Sequence, residues 1–403
     1  MSDYIVDGSD LTSIANAIRT KGGTSESLEF PSGFVSAIGN INRGGDTPVP
    51  EKDVVYIDYD GSILYSYTAA EFANFSAHPD HPTPPYSWLT ADDWNWTLAS
   101  AKTYVSKYKQ LVIGQSYTPA NDAIFIVIDI PLGRDVSVAV KSNANSNSIT
   151  VDWGDSSTPD TQTANNNVSV TFTHTYSSAG EYHIKLTHSG KVTTEKRLVY
   201  AGNLDPAGIS YVKDIFIGTN VGFPSNAFRY FTANIGLGYG LTGTSASLFC
   251  DQFFEGIVLP KGYLSTTGNS NWFSGCQTAK YISLPESFVG SGRNYVFSNC
   301  KSLRKACTDD SETWNSGVFN SCYSLARINV PACVTAIKAS TFADCFALLE
   351  LHFYGSTPPT VENSNAFYRL PDSCKIYVPS GKLSDYTTAS SYPDPNTYTY
   401  VEE

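Results

Sequence analysis

In the C-terminal half of the chain, short runs of alternating apolar and polar residues recur with a period of 21 to 25 residues, each after a phenylalanine. An alternating run predicts a half-buried strand, and a constant period of this length indicates a solenoid whose repeats bury their apolar faces against one another. The phenylalanines are Phe228, Phe249, Phe273, Phe297, Phe319, Phe342 and Phe367. The clearest strands are predicted at 281–285, 326–331, 349–353 and 375–379.

The third residue after four of these phenylalanines is a cysteine. These cysteines are Cys276, Cys300, Cys322 and Cys345. Equivalent positions stack in a solenoid, so we predict a structural spine in which a ladder of buried thiols runs beside a column of phenylalanine rings. Disulfides or a metal site are the alternatives, and the lack of any Cys-x-x-Cys pair disfavours zinc. Four further cysteines receive no interpretation: Cys250, Cys307, Cys333 and Cys374.

The repeats resemble the BspA-like class of bacterial leucine-rich repeats over about residues 211–403. The resemblance rests on the Phe-x-x-Cys, Leu-x-x-Ile and Leu-Pro elements and on the ending from Ile376 to Tyr386. The copies near Phe228 and Phe249 lack the cysteine, as expected for the atypical cap of a solenoid. An extended repeat surface of this kind predicts a binding role.

Residues 54–130 are predicted to form a small α+β domain with a hairpin, two helices and an apolar strand at 123–130. Trp94 and Trp96 are interpreted as core anchors, with carbohydrate stacking as the alternative. His78 and His81 could bind a metal, but they lie in a proline-rich loop and share no helical face. The block also resembles a module found in phage proteins.

Residues 131–201 are predicted to form a β-sandwich of immunoglobulin size. The segments Trp153-Gly-Asp155 and 174–186 resemble the polycystic-kidney-disease (PKD) type of Ig-like domain, although Ser156 stands where that motif has glycine. Asp152 and Asp155 could hold calcium, but two carboxylates are few for such a site, and capping of the turn is the favoured interpretation.

Two short amphipathic helices are predicted within residues 1–41, followed by a linker at 42–53. Two such helices cannot bury a core alone, so we predict a docking role. The stretch 11–41 resembles the opening of phage and prophage tail-associated proteins of Gram-positive bacteria. The apolar docking residues are Leu11, Ile14, Ile18, Phe34 and Ile38.

The net charge of −12 makes nucleic acid and anionic membranes poor partners, because binding them requires clustered lysine and arginine. No predicted segment is long enough to insert in a membrane, and the N-terminus has no export signal, so we expect synthesis in a reducing cytoplasm. No catalytic motif is recognised, and Asp309, Asp310 and Glu312 are interpreted as a solvated acidic turn. We therefore predict no enzymatic activity, no cofactor and no metal.

These observations predict a multidomain, β-rich protein: a short helical segment (1–41), a small α+β domain (54–130), an Ig-like sandwich (131–201) and a leucine-rich-repeat solenoid (202–403). The leading hypothesis is a phage virion protein, a tail-fibre or baseplate receptor-binding component assembled in the host cytoplasm and released by lysis. Its N-terminus would bind other virion proteins, and its solenoid a host surface protein or glycan, with several copies acting together as a homo-oligomer. A head fibre, a capsid decoration protein, a bacterial surface adhesin and a depolymerase are the alternatives.

Overall fold

Contacts divide the chain into two units, residues 1–52 and residues 53–403. The computed structural model describes residues 52–130, 135–201, 211–219, 221–222, 233–238, 242–243, 249–265, 270–286, 288, 293–306 and 311–403. The predicted docking segment, with its apolar residues Leu11, Ile14, Ile18, Phe34 and Ile38, lies outside the described residues. The described chain is β-rich, with few helices, N-terminal sheets and a C-terminal β-solenoid.

Residues 53–130 combine a small sheet with two helices. The elements are β1 Val54–Ile57, β2 Ile63–Tyr67, α1 Ala69–Ala73, β3 Leu89–Ala91, α2 Leu98–Tyr108, β4 Leu111–Gly114, β5 Tyr117–Pro119 and β6 Ile124–Ile130. Strand β1 is fully buried because it is central: it pairs antiparallel with β2 and parallel with β4. The Asp60-Gly61 turn joins β1 to β2, as the sequence predicts.

Both helices begin at a threonine whose hydroxyl satisfies a free backbone N–H of the first turn. Thr68 accepts from the N–H of Glu71, and the Glu71 carboxylate accepts from the N–H of Thr68, which completes a capping box. Thr97 accepts from the N–H of Ser100. Lys109 ends α2 in the left-handed conformation, at φ 48°. Within the described residues, no helix has the length and apolar character needed to cross a membrane.

Two antiparallel sheets enclose the core of the next region. Their strands are β7 Asp135–Ser142, β8 Asn147–Asp152, β9 Asp160–Ala164, β10 Ser169–Thr175, β11 Gly180–His188 and β12 Val192–Ala201. One sheet contains β10, β7 and β12, and the other contains β6, β11, β8 and β9 in that order. Alternate residues of these strands point inward, so that Val136, Val138 and Val140 of β7 are all buried.

The C-terminal repeats build parallel ladders. Their strands are β13 Val212–Ile217, β14 Val221–Gly222, β15 Asn234–Leu237, β16 Thr242–Gly243, β17 Gly256–Val258, β18 Leu264–Ser265, β19 Tyr281–Ser283, β20 Thr313–Trp314, β21 Arg327–Val330, β22 Ala336–Ile337, β23 Glu350–Phe353, β24 Thr360–Val361, β25 Lys375–Val378 and β26 Thr399–Glu402, with helix α3 Leu383–Thr387 before the last strand. The four strands predicted from the alternating runs correspond to β19, β21, β23 and β25. One ladder contains β21, β23, β25 and β26, and a second contains β20, β22 and β24.

Strand β13 belongs to two regions at once. It pairs antiparallel with β6 and parallel with β15, so the sheet that contains β11, β8 and β9 continues into the repeats. Strand β6, which the sequence analysis placed at the end of the α+β segment, is likewise paired with β11 in that sheet. A single apolar core runs from Ile124 through both sheets and the repeats to Tyr386.

Residues 53–130 also pack against the face of the repeats that contains strands β17 and β19, which we call the strand face. The Asn95 amide donates to the carbonyl of Leu259 and to the hydroxyl of Ser283, while its oxygen accepts from the N–H of Gly114. The Trp96 indole donates to the carbonyl of Leu284 at 2.7 Å. Trp94 and Trp96 are therefore core residues, as predicted, but the core they belong to also contains Val258 and Tyr281 of the repeats.

A buried carboxylate fastens the same segment to β13. Asp214 accepts hydrogen bonds from the hydroxyls of Tyr59 and Tyr86, at 3.1 and 2.6 Å, and from the amide of Asn234. Burial raises the pKa of both tyrosines, so each remains a hydrogen-bond donor at neutral pH. The three donors satisfy the oxygens of this buried side chain, and the cluster fixes the segment to the junction of the two β regions.

Candidate functional site

The phenylalanines of the repeats form an inner column. The rings of Phe249, Phe273, Phe297 and Phe319 are parallel to within 6°, with successive centroids 5.4 to 5.8 Å apart. Phe342 and Phe367 form a second stack at 5.4 Å. The Trp314 ring contacts Phe319 and Phe342 and bridges the two stacks. The spine predicted from the sequence is thus assembled from two parts joined by a tryptophan.

The four ladder cysteines each satisfy a backbone oxygen of the preceding repeat. The thiol of Cys276 donates to the carbonyl of Phe249 at 2.9 Å, and Cys300, Cys322 and Cys345 repeat this contact at 3.0, 3.1 and 3.2 Å. All four are thiols rather than disulfides. Burial raises the pKa of all four thiols, to about 12 for Cys345. They therefore remain protonated at neutral pH and are poor nucleophiles.

A left-handed residue occupies the second position after each phenylalanine from Phe249 to Phe367, while Phe228 lies outside the described residues. The left-handed residues are Asp251, Gly275, Asn299, Ser321, Asp344 and Arg369, with φ between 56° and 79°. The left-handed conformation turns the chain sharply after the buried ring. The backbone N–H at this position bonds to the next repeat, for example Asn299 to the carbonyl of Asn320 at 2.7 Å. The turn therefore has the same form in successive repeats.

The fourth position after the five phenylalanines from Phe249 to Phe342 lies on the outside of this turn and defines an outer column, whereas the fourth residue after Phe367 is Pro371. The members of this column are Phe253, Gln277, Lys301, Tyr323 and Phe346. Phe253, Tyr323 and Phe346 are 41%, 38% and 44% exposed. Tyr368, which directly follows Phe367 and so occupies a different repeat position, is 55% exposed and adjoins the end of the column through Arg369. The rings of Tyr323 and Phe346 contact each other at 5.1 Å. Large aromatic side chains are thus exposed at one repeat position.

Two cations lie on the aromatic members of the outer column. The ammonium of Lys301 lies 5.8 Å from the ring centre of Tyr323, and the guanidinium of Arg369 lies 4.8 Å from Phe346 and 6.0 Å from Tyr368. Arg369 is also paired with Asp344 at 3.0 Å. Aromatic residues with arginine are the composition that protein interfaces favour, because they provide large contact areas and directional hydrogen bonds.

The predicted PKD-type turn binds its own backbone. Asp152 accepts from the N–H of Gly154, and Asp155 accepts from the N–H of Ser157. The second oxygen of Asp155 lies 2.8 Å from Nε2 of His174. These contacts agree with the turn-capping interpretation, and no cluster of metal ligands occurs among the described residues. Ser156 adopts φ 68°, the conformation that glycine provides in the motif it resembles.

Most of the remaining candidate residues that the structure describes lie in environments that indicate a structural role. Cys374 is buried, which raises its pKa to about 12, and Cys333 packs against the apolar core. Cys307, Asp309 and Asp310 lie outside the described residues. The outer column was not predicted, because the predictions rested on the residue types that recur from repeat to repeat. The signal that could have identified it is the large side chain at the fourth position of several repeats.

The comparisons with known proteins concern the repeats. Residues 242–375 match the family model described as the BspA type leucine rich repeat region, in six copies. The BspA-type repeats predicted from the sequence are thereby confirmed for this part of the chain. The inner and outer columns both lie on the BspA-type repeats.

One solved structure that resembles the chain is the crystal structure of a leucine rich cell surface protein from Faecalibacterium prausnitzii A2-165. The match has 17% sequence identity and a TM-score of 0.23, and it covers 47% of this chain. The chain thus spans 66% of the length of that surface protein. No curated protein matches this chain.

Proposed function

We propose that this protein is a non-enzymatic recognition protein of the cell-surface adhesin type, whose outer column binds a partner on a surface. The observation that carries the proposal is the exposure of Tyr323, Phe346 and Tyr368 beside Arg369. An exposed aromatic cluster costs solubility unless it is used, and such clusters mark interaction sites. The match to BspA-type repeats supports a scaffold that repeats one turn and so presents Tyr323 and Phe346 at equivalent positions, with Tyr368 beside them.

The regions before the repeats support this role by holding the array in place. The Ig-like sandwich is proposed to act as a spacer, since its sheet is continuous with β13. The α+β segment covers part of the strand face, which leaves the outer turns as the accessible side of the array. Several copies on one surface would compensate for a weak individual contact.

The test is binding of the labelled full chain to intact cells of the organism in which the gene occurs. A triple variant, Tyr323→Ser, Phe346→Ser and Tyr368→Ser, removes the exposed rings without touching the core. We expect at least about a tenfold loss of affinity, since a few aromatic residues carry most of an interface's binding energy. The measurement is a flow-cytometric binding curve.

The matched control replaces exposed apolar residues away from the repeats, Ile63→Ser and Val168→Ser, which are 53% and 46% exposed. This variant should bind as the unmodified chain does. An equal loss of affinity in both variants would indicate nonspecific hydrophobic adsorption rather than a specific binding site. Full binding by the triple variant would contradict the proposed role of the outer column.

A second candidate function is a virion component that binds a host surface through the same repeats. The observation in its favour is the resemblance of residues 11–41 to tail-associated phage proteins. Immunogold labelling distinguishes the two candidates, because an adhesin labels the bacterial surface and a virion component labels purified particles. A tail position, a baseplate position and a capsid position would each give a distinct labelling pattern.

A further inference from the structure

A cleft of about 410 Å³ lies where residues 53–130 meet the repeats. His78, His81, Trp94 and Trp96 line it from the α+β segment, and Lys261 lines it from the repeats. Its volume falls within the range of small-molecule sites, which is about 300 to 1,000 Å³. The cleft is far from the outer column in sequence, and it brings together the two motifs that the proposed function leaves unused.

Both imidazoles of the cleft are held in fixed orientations by hydrogen-bond partners. The Tyr56 hydroxyl lies 2.8 Å from Nδ1 of His78 and is hydrogen-bonded to it. The amide nitrogen of Gln115 donates to two backbone carbonyls, which turns its oxygen toward Nδ1 of His81 at 2.6 Å. His81 is therefore the donor in that bond, and its Nε2 remains an acceptor when the ring is neutral.

The walls combine apolar rings with both kinds of polar group. The His81 ring lies on the Trp94 indole, with centroids 5.2 Å apart and planes inclined by 20°. Across the cleft, the Lys261 ammonium pairs with the Asp93 carboxylate at 3.2 Å. Because Trp94 and Trp96 are only 3% and 9% exposed, a ligand there meets a donor in Lys261, acceptors in Asp93 and His81, and the exposed ring of His81.

The donor, the acceptors and the ring surface of the cleft favour some classes of ligand over others. An anion would be repelled by the carboxylates of Asp80 and Asp93, which both line the cleft. No cluster of side chains that could hold a metal ion occurs in the described part of the chain. A hydroxyl group both donates and accepts, so a neutral molecule with several hydroxyls satisfies all of these groups.

We propose that this cleft binds one saccharide residue, either as a free sugar or as the end of a glycan. Its hydroxyls would bond to Asp93, Lys261 and Nε2 of His81, and its C–H face would lie against the exposed His81 ring. The buried partners of the two histidines act as the outer shell that such a site needs. The site is independent of the outer column and does not rest on the adhesin role.

The experiment is saturation-transfer NMR on the full chain with D-glucose, D-galactose and N-acetyl-D-glucosamine, each at millimolar concentration. The free-sugar arm is repeated with the corresponding β-linked disaccharides, which test whether a glycan end fits better. We expect transfer to at least one sugar and about a tenfold weaker Kd in His81→Ala, the effect of one lost hydrogen bond. Lys261→Met, which keeps the side-chain stem, should weaken binding similarly.

The control is the Tyr323→Ser, Phe346→Ser and Tyr368→Ser variant, which should retain sugar binding even if it loses binding to cells. Because His81 is exposed, His81→Ala should fold normally, and circular dichroism checks this. The proposal is overturned if none of the sugars shows transfer, or if His81→Ala and Lys261→Met bind as well as the unmodified chain. It is also overturned if the imidazole resonances of His81 respond to inorganic phosphate or Zn²⁺ and not to any sugar.

Discussion

The inner and outer columns of the repeats are formed at the same turn, but the inner column keeps one residue type and the outer column varies. The inner column repeats one residue type, phenylalanine, and one partner, the cysteine thiol of the next repeat. The outer column changes from repeat to repeat, through phenylalanine, glutamine, lysine, tyrosine and phenylalanine. The difference is burial, since the inner rings are excluded from water and the outer side chains are in contact with it.

This contrast separates the residues that hold the array together from those that are free to change. A buried ring between two equal rings can be replaced only at a large cost in packing. An exposed side chain on a rigid turn can vary without affecting the turn. Repetition therefore indicates stability in this molecule, and the variable exposed position is the one to which we assign the proposed recognition role.

The largest effect is expected for Phe319→Ala in the inner column. The ring is fully buried and packs against Phe297 and Trp314. Its removal leaves a cavity that should lower the free energy of unfolding by about 3 to 5 kcal/mol. Urea unfolding followed by circular dichroism measures the change.

The matched control is Phe346→Ala, the same substitution in the outer column. Because this ring is exposed, the free energy of unfolding should change by no more than about 0.5 kcal/mol. Similar losses for both variants would contradict the division into a structural and a recognition column.

A smaller effect is expected for Cys322→Ala. The substitution removes the thiol that donates to the carbonyl of Phe297, at 3.1 Å, and leaves a small void. The carbonyl keeps its bond from the N–H of Cys300, so the expected loss is only about 1 to 2 kcal/mol. Thermal unfolding, with Cys333→Ala as a control at a half-buried cysteine, measures it. A neutral result for Cys322→Ala would show that the ladder contributes no stability.

The smallest expected effect is on the reactivity of the buried thiols, and it involves no change in the stability of the protein. Burial raises the pKa of Cys345 to about 12 and that of Cys322 well above its usual value. At pH 8, below these values, both groups therefore remain thiols, and the nucleophilic thiolate is scarce. Iodoacetamide should modify them in urea but not in the native protein, as mass spectrometry of peptides would show. Native-state modification at the unfolded rate would mean that the inner column opens readily.

Much of the repeat architecture could be predicted from the sequence because its contacts are periodic. The alternation around Ile328, Leu351 and Ile376 matches strands β21, β23 and β25, since a period of two is a local property. The Phe-x-x-Cys spacing likewise places ring and thiol within one turn. Local capping also follows from sequence, as at Thr68 and Glu71.

Contacts between regions could not be predicted in the same way. Trp96 was recognised as a core residue, but its bond to Leu284 spans 188 positions, and no pattern near either residue indicates the other. The pairing of β13 with β6 is hidden for the same reason, because an apolar strand does not specify its neighbour. The cleft was missed because it exists only once Lys261 of the repeats approaches Asp93.

The shared strand β13 has a mechanical consequence. Because it is hydrogen-bonded to β6 on one side and β15 on the other, tension between the sandwich and the repeats would be shared among several hydrogen bonds. A flexible tether would instead concentrate the same force on one point. In the proposed surface-binding role, a pull on the repeats would therefore reach the sandwich with little extension.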